Sequence, residues 1–428
     1  MTDSGGTAAP AATAPVGNTS PIGASPLRWW VLVLVVVATL INYVDRQIIA
    51  ILKPELEKVY GWTDVDYGHV VSAFQLSAAL AYLGAGWAVD KLGLRRGYAI
   101  AVAVWSAAAM AHALARNVAD FVIARVVLGA AEAANTPAAV KSLSVWFSDA
   151  QRSLALGFMN AGANLGAIAS PLLIPVLAVN FGWRATFVIT GAIGFLWLIG
   201  WLFVRHPSVE RSVVVAAADG SVARADDARW GRLLMQRRTW AFAGAKFITD
   251  AVWWFMLFWL PDLLNKVYGL GMQASAVPIA LVYTMASIGA LAGGWLPGRL
   301  MRGGASLQRA RMTTLLLCAL VVLPVPFALS MSSYWSAALL VGLALAGHQG
   351  FSTNVFSLTG DLFPRAFVAS VVGIGALFGN LGGFLMLETT GRVLQATNSY
   401  LPLFLYCAGA YLVAWLLIRA LVPSFRDA

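Results

Sequence analysis

From Trp29 to Leu52 the chain reads WWVLVLVVVATLINYVDRQIIAIL, with Asp45 and Arg46 inside an otherwise apolar run. A run of this length spans a bilayer as a helix. Ionisable side chains at membrane depth are costly, so where they occur they mark a pathway for a charged solute or ion. A later apolar run repeats the pattern with Arg125 and Glu132 in IARVVLGAAEAAN. Seven residues make almost two helical turns, so those two side chains share a face about 10 Å apart.

Composition carries this from one segment to the whole chain. The 428 residues are 60% hydrophobic and 11% charged, against about 25% charged in soluble proteins, and the mean hydropathy is +0.75. Such a length supplies about a dozen spans of roughly 20 residues. The pattern predicts an all-α membrane protein with twelve helices at 28–53, 68–90, 96–115, 119–143, 153–179, 184–204, 239–264, 275–300, 308–330, 333–358, 366–391 and 398–420. Residues 1–26, rich in Ala, Pro, Gly, Ser and Thr, read as a disordered tail and not as a signal peptide. A polar stretch at 205–238 divides a first six-helix bundle (27–204) from a second (239–421), and 422–428 form a short tail. Cys318 and Cys407 both sit in apolar runs, which argues against a disulfide framework.

The two halves are related. KVYG at 58–61 recurs at 266–269, Pro54 matches Pro261, and Gly86 matches Gly294, with offsets of 207 or 208. Gly157, Asn164 and Gly166 match Gly373, Asn380 and Gly382 at an offset of 216. A duplicated six-helix unit places a solute site near the midplane between the halves. If the tail lies inside, twenty of the 29 Lys and Arg residues fall on the cytoplasmic side and six on the other. That asymmetry puts both termini in the cytoplasm and accounts for the net charge of +10 without nucleic acid.

GAGWAVDKLGLRRG, from Gly84 to Gly97, resembles the loop motif of the major facilitator superfamily, with Gly86, Asp90, Lys91, Gly93, Arg95 and Arg96 in its characteristic places. It reads as a cytoplasmic latch in which Gly86 permits close helix approach and Asp90 pairs with a neighbouring helix end. The second copy, GGWLPGRLMRGG, has Gly298 where the acid would stand, so a latch there is weaker. INYVDRQ, GAAEAANTPAAVKSLSVWF, NAGANLGAIASPLL, GWRATFVITGAIGFLW, FITDAVWWFMLFWLP and GDLFPRAFVASVVGIG resemble the anion:cation symporter branch, and within it hexuronate and related sugar-acid transporters. The resemblance implies two pseudo-symmetric six-helix bundles in the inner membrane, working as a monomer. It also implies proton-coupled uptake of a sugar acid without further cofactor or metal.

A sugar acid offers a carboxylate, which a guanidinium binds through paired donors, and hydroxyls, which suit amides, phenols and indoles. The matching residues in helices one, five, seven and eleven are Arg46, with Asn42, Tyr43, Gln47, Asn160, Asn164, Trp253, Trp254 and Asn380. Arg46 is expected to take the carboxylate, the alternative being a permanent ion pair. Neighbouring helical residues point about 100° apart, so Asp45 is expected to turn to Arg125 while Arg46 faces the cavity. By resemblance Asp45 and Glu132 carry protons, the alternative for Glu132 being a structural hydrogen bond to a neighbouring helix; Arg125 reads as a gating counter-ion that releases Asp45 or as a static tie between helices three and four. Burial and a nearby guanidinium act in opposite senses on a carboxyl group, which is how such a site is tuned. Asp250 reads equally as gate or structural cap, and its TDAVWW lacks the proline usual in the subgroup's TDPVWW, which puts a break in helix seven in doubt. His348 reads as a relay or as a packing residue. Glu388 and Arg392, one turn apart, read as a surface ion pair.

Other chemistries leave no motif. The chain has no nucleotide-binding G-x-x-x-x-G-K-[ST] loop, and its four histidines and two cysteines lack metal-ligand spacing. It therefore reads as no enzyme. The glycine-rich AGANLGAIA and GIGALFGNLGG lie within apolar spans and read as helix-packing surfaces. The alternatives are an aromatic acid such as phthalate or a dicarboxylate as substrate, or a membrane sensor that transports nothing.

Overall fold

The computed structural model describes residues 26–147, 149–204 and 233–425, all of them helix or connecting turn without a strand. Most of the N-terminal tail and central loop read from the sequence lies outside these residues. We number the helices α1 Leu27–Tyr60, α2 Asp64–Leu92, α3 Leu94–Ala111, α4 Val118–Glu132, α5 Asn135–Trp146 and α6 Asp149–Leu202. Then follow α7 Arg237–Tyr268, α8 Met272–Arg302, α9 Leu307–Val322, α10 Tyr334–Leu362, α11 Arg365–Thr397 and α12 Leu401–Leu421.

These twelve labels do not map one to one onto the twelve expected helices. Among the described residues nine helices are long and apolar enough to span a membrane. The expected fourth helix is broken into α4 and α5 at Ala133–Ala134. The expected fifth and sixth are joined in α6, which turns at Gly182, where φ is 79° and ψ is 161°. That backbone suits glycine alone, since any Cβ is strained at such a φ. α1 runs past the expected end at Lys53, through Pro54, to Tyr60. Proline forfeits one hydrogen bond without always ending a helix when its surroundings hold both arms. α7 is continuous across Ala251, with no break beside Asp250.

The packing repeats between the halves. α1 and α3 pack on α6, and α2 on α4; correspondingly α7 packs on α11 and α12, α9 on α12, and α8 on α10. One duplicated glycine pair sits at matching close approaches. A Cβ on Gly166 of α6 would lie 2.6 Å from the Leu40 carbonyl oxygen of α1, and one on Gly382 of α11 would collide with the Phe247 carbonyl of α7. Leu40 and Phe247 are themselves related by the offset of 207. Gly157 and Gly373 have nothing within 4 Å of such a Cβ, so those repeated glycines serve no packing contact here. Gly166→Ala is therefore expected to cost about 1–3 kcal/mol of stability, as overpacking does, and Gly157→Ala next to nothing; thermal unfolding of the purified protein measures both.

The bundles meet chiefly through α2 with α11, α6 with α8, and α1 with α7. Ion pairs joining described residues of the two bundles lie at the face opposite the termini, where Lys53 meets Asp262 and Lys266 meets Asp64; there the His69 imidazole also contacts Glu388.

Candidate functional site

Halfway along α1 the polar run Asn42, Asp45, Arg46 and Gln47 is buried, at 2%, 1%, 7% and 2% exposure. α4 faces it with Arg125 and Glu132, both fully buried. The two-turn spacing of that pair does put them on one face toward α1. Their partners differ from expectation. Arg46 Nε donates to Glu132 Oε2 at 2.7 Å, whereas Arg125 reaches only the Asp45 backbone oxygen, Nη1 at 3.5 Å. Both carboxylate oxygens of Asp45 and the Nε and Nη2 of Arg125 lack a hydrogen-bond partner among the described residues. The expected turn of the Asp45 side chain onto Arg125 is thus not what forms. The longer Arg46 side chain instead reaches Glu132, the last residue of α4.

Glu132 occupies one edge of the Arg46 guanidinium, and the Nη groups make no hydrogen bond to a described residue. Aromatic rings frame what remains. The Arg46 Cζ lies 5.4 Å from the Tyr43 ring centroid, 5.2 Å from Phe74 and 5.5 Å from Trp254. Trp254 belongs to α7, so the two bundles meet at this guanidinium. Cation–π attraction of this kind is worth about 0.5–2 kcal/mol and fixes the orientation of the fork.

The remaining polar residues divide. Asn160 is exposed and Asn164 half-buried on the first arm of α6. Asn380 turns its amide back to the Ala376 carbonyl at 2.8 Å. Trp253 points away from Arg46 into the second bundle, stacked on His348 at 5.3 Å and 15° and edge-on to Tyr283 at 6.0 Å. His348 Nδ1 meets the Tyr411 hydroxyl at 2.7 Å, a packed and partnered position. Asp250 pairs with Lys246 at 2.6 Å. The i, i+4 spacing could have revealed that pair from sequence.

At the terminal face Asp90 pairs with Lys141 of α5 at 2.5 Å, and Arg95 donates to the Leu202 carbonyl at 2.5 Å. These contacts tie α2 to α5 and α3 to α6, all within the first bundle. A Cβ on Gly86 would lie 3.9 Å from Pro137, ordinary contact distance, so no close helix approach depends on that glycine here. Lys91 lies against the Trp87 ring at 4.7 Å; Gly93 separates α2 from α3, and Arg96 is exposed. The second half ties Arg311 of α9 to Asp361 at 2.8 Å and to Asn354 at 3.2 Å instead. Glu388 meets Arg392 at 2.8 Å as expected, and also reaches His69 and Ser72 across the bundle boundary, each at 3.0 Å.

Two bundles with matched internal packing around a buried charged midplane are the architecture of one transporter family. The family model described as Major Facilitator Superfamily matches residues 35–387. The chain belongs to that superfamily. It is a membrane transporter and not an enzyme. It is 30% identical over 407 residues to the hexuronate transporter of Escherichia coli K12, covering 92% of this chain and 93% of that one. It is 27% identical over 418 residues to the D-galactonate transporter of Escherichia coli O6:H1, covering 93% and 96%. A bacterial homologue of the human lysosomal transporter Spinster, solved inward-facing and unoccupied, shares the fold with a TM-score of 0.74 at 17% identity, covering 94% of this chain and 100% of that one.

Proposed function

We propose that this protein is a proton-coupled symporter that takes up a monocarboxylic sugar acid, a hexuronate or aldonate, across the cell inner membrane by alternating access. It acts as a monomer with both termini in the cytoplasm. The observation that carries the reading is the Arg46 guanidinium, whose one edge is held by Glu132 and whose Nη groups are uncommitted inside an aromatic frame supplied by both bundles. The relatives described as hexuronate and D-galactonate transporters support the substrate class.

The geometry suggests how protons and substrate are coupled. Glu132 and a substrate carboxylate are rival partners for one guanidinium. A proton on Glu132 removes its charge and frees Arg46 for the substrate. Asp45, buried with both oxygens unpartnered among the described residues, is a second carboxyl that can hold a proton, because an isolated buried carboxylate is costly. Release to the cytoplasm followed by loss of both protons restores the Arg46–Glu132 pair. On this reading the face closed by Lys53 and Asp262 is external and the structure faces inward.

Counterflow into liposomes containing purified protein tests the substrate. Labelled glucuronate or galactonate is expected to exchange, and phthalate is not. Exchange of phthalate alone would move the reading to the aromatic acids, with Trp254 as stacking partner. Failure of every anion to exchange would contradict carrier function.

A further inference from the structure

The Lys53 ammonium is fully buried, seven residues beyond Arg46, where α1 meets α7 of the other bundle. Its Nζ lies 2.7 Å from Glu57 and 2.9 Å from Asp64 in its own bundle, and 2.5 Å from Asp262 of α7. The rings of Tyr67 and Trp259, one from each bundle, flank it at 5.0 and 4.9 Å. Asp262 is 1% exposed and also accepts from the Tyr400 hydroxyl. Nearby, Lys266 of α7 crosses back to Asp64 at 2.5 Å, and the Tyr67 hydroxyl donates to the Phe258 carbonyl at 2.7 Å. The three carboxylates converge as they would around a metal ion, and the ammonium of Lys53 takes that central place.

We propose that Lys53 and Asp262 form the lock that holds the outer face closed, and that their pairing sets how much of the transporter stands inward-facing. The proposal rests on the orientation given above. Each lysine has an acid in its own bundle as well as one across the boundary: Lys53 has Glu57 and Asp64, and Lys266 has Asp262 at 3.5 Å. When the bundles part, Lys53 leaves with Asp64 and Glu57 while Lys266 keeps Asp262, so no charge is stranded. The lock is therefore firm when dry and releasable when water enters.

Removing Lys53 alone leaves Asp262 buried with the Tyr400 hydroxyl and, as its one cation among the described residues, the half-exposed Lys266 at 3.5 Å, a cost relieved by opening to water. Removing both partners takes that cost away. Ser72, 2% exposed and bonded to Glu388 at the bundle boundary, provides the reporter. Ser72→Cys is placed in protein with Cys318 and Cys407 replaced by serine, and its labelling by a membrane-impermeant maleimide is followed in right-side-out and inside-out vesicles. Lys53→Met is expected to speed labelling from outside by about 100-fold, the scale of breaking a buried pair. Adding Asp262→Leu is expected to return the rate most of the way, and Lys266→Met alone to change it by less than about fivefold, as for exposed pairs.

A Lys53→Met rate equal to the parent's in both vesicle orientations overturns the lock. So does a rate that Asp262→Leu does not lower. A second reporter, Ser106→Cys, is buried inside the first bundle; if it labels as fast as Ser72→Cys, Lys53 supports the fold and the lock is overturned as well. Acceleration confined to inside-out vesicles upholds the lock and reverses the orientation. The readout involves no substrate, so it stands apart from the choice of anion.

Discussion

Uptake of sugar acid by an Arg46→Gln variant is expected to fall at least about 100-fold, the scale of truncating one partner of a buried, hydrogen-bonded charge pair. Two losses combine. The substrate carboxylate loses its guanidinium, and Glu132, fully buried, loses the guanidinium donor that stands 2.7 Å away. Arg46→Lys separates a substrate role from a structural tie. An ammonium can still neutralise Glu132, but it lacks the second edge that would grip a carboxylate, so Arg46→Lys is expected to keep near-normal thermal stability and lose most transport. Near-normal counterflow by Arg46→Lys would mean that Arg46 only ties α1 to α4.

Asp45→Asn is expected to abolish gradient-driven accumulation while leaving substrate exchange intact. The amide has almost the shape of the carboxyl and cannot release a proton. Both Asp45 oxygens lack partners among the described residues, so the neutral amide removes no bond seen in the folded state, and thermal stability is expected to hold or rise. Accumulation equal to wild type under an inward proton gradient would make Asp45 a structural residue. Loss of both exchange and stability would do the same.

The reason these two charges behave differently was only partly visible in the sequence. Apolar run length and the recurring KVYG, glycine and asparagine positions revealed membrane helices in two related halves, because lipid constrains segment length and close helix packing constrains residue size. The pairing of α1 with α4 was also legible, since Arg125 and Glu132 share a face. Which acid Arg46 takes was not. A 100° argument fixes direction around α1, but Arg46 reaches Glu132, the last residue of α4, through its length. The expected first helix ended at Lys53, which left that residue at a helix end. With the helix continuing to Tyr60, Lys53 becomes the most enclosed cation of the boundary. Trp253 and Trp254, adjacent in sequence, fall on different faces of α7, and only Trp254 meets Arg46.

Proton coupling of sugar-acid transport is tested most directly by glucuronate accumulation in proteoliposomes of the wild-type protein, with and without an inward proton gradient. Labelled glucuronate is expected to rise above its external concentration only under the gradient, and to leak back when a protonophore is added. Uptake that stops at equal concentrations with the gradient imposed, or that ignores the protonophore, would contradict proton-coupled symport.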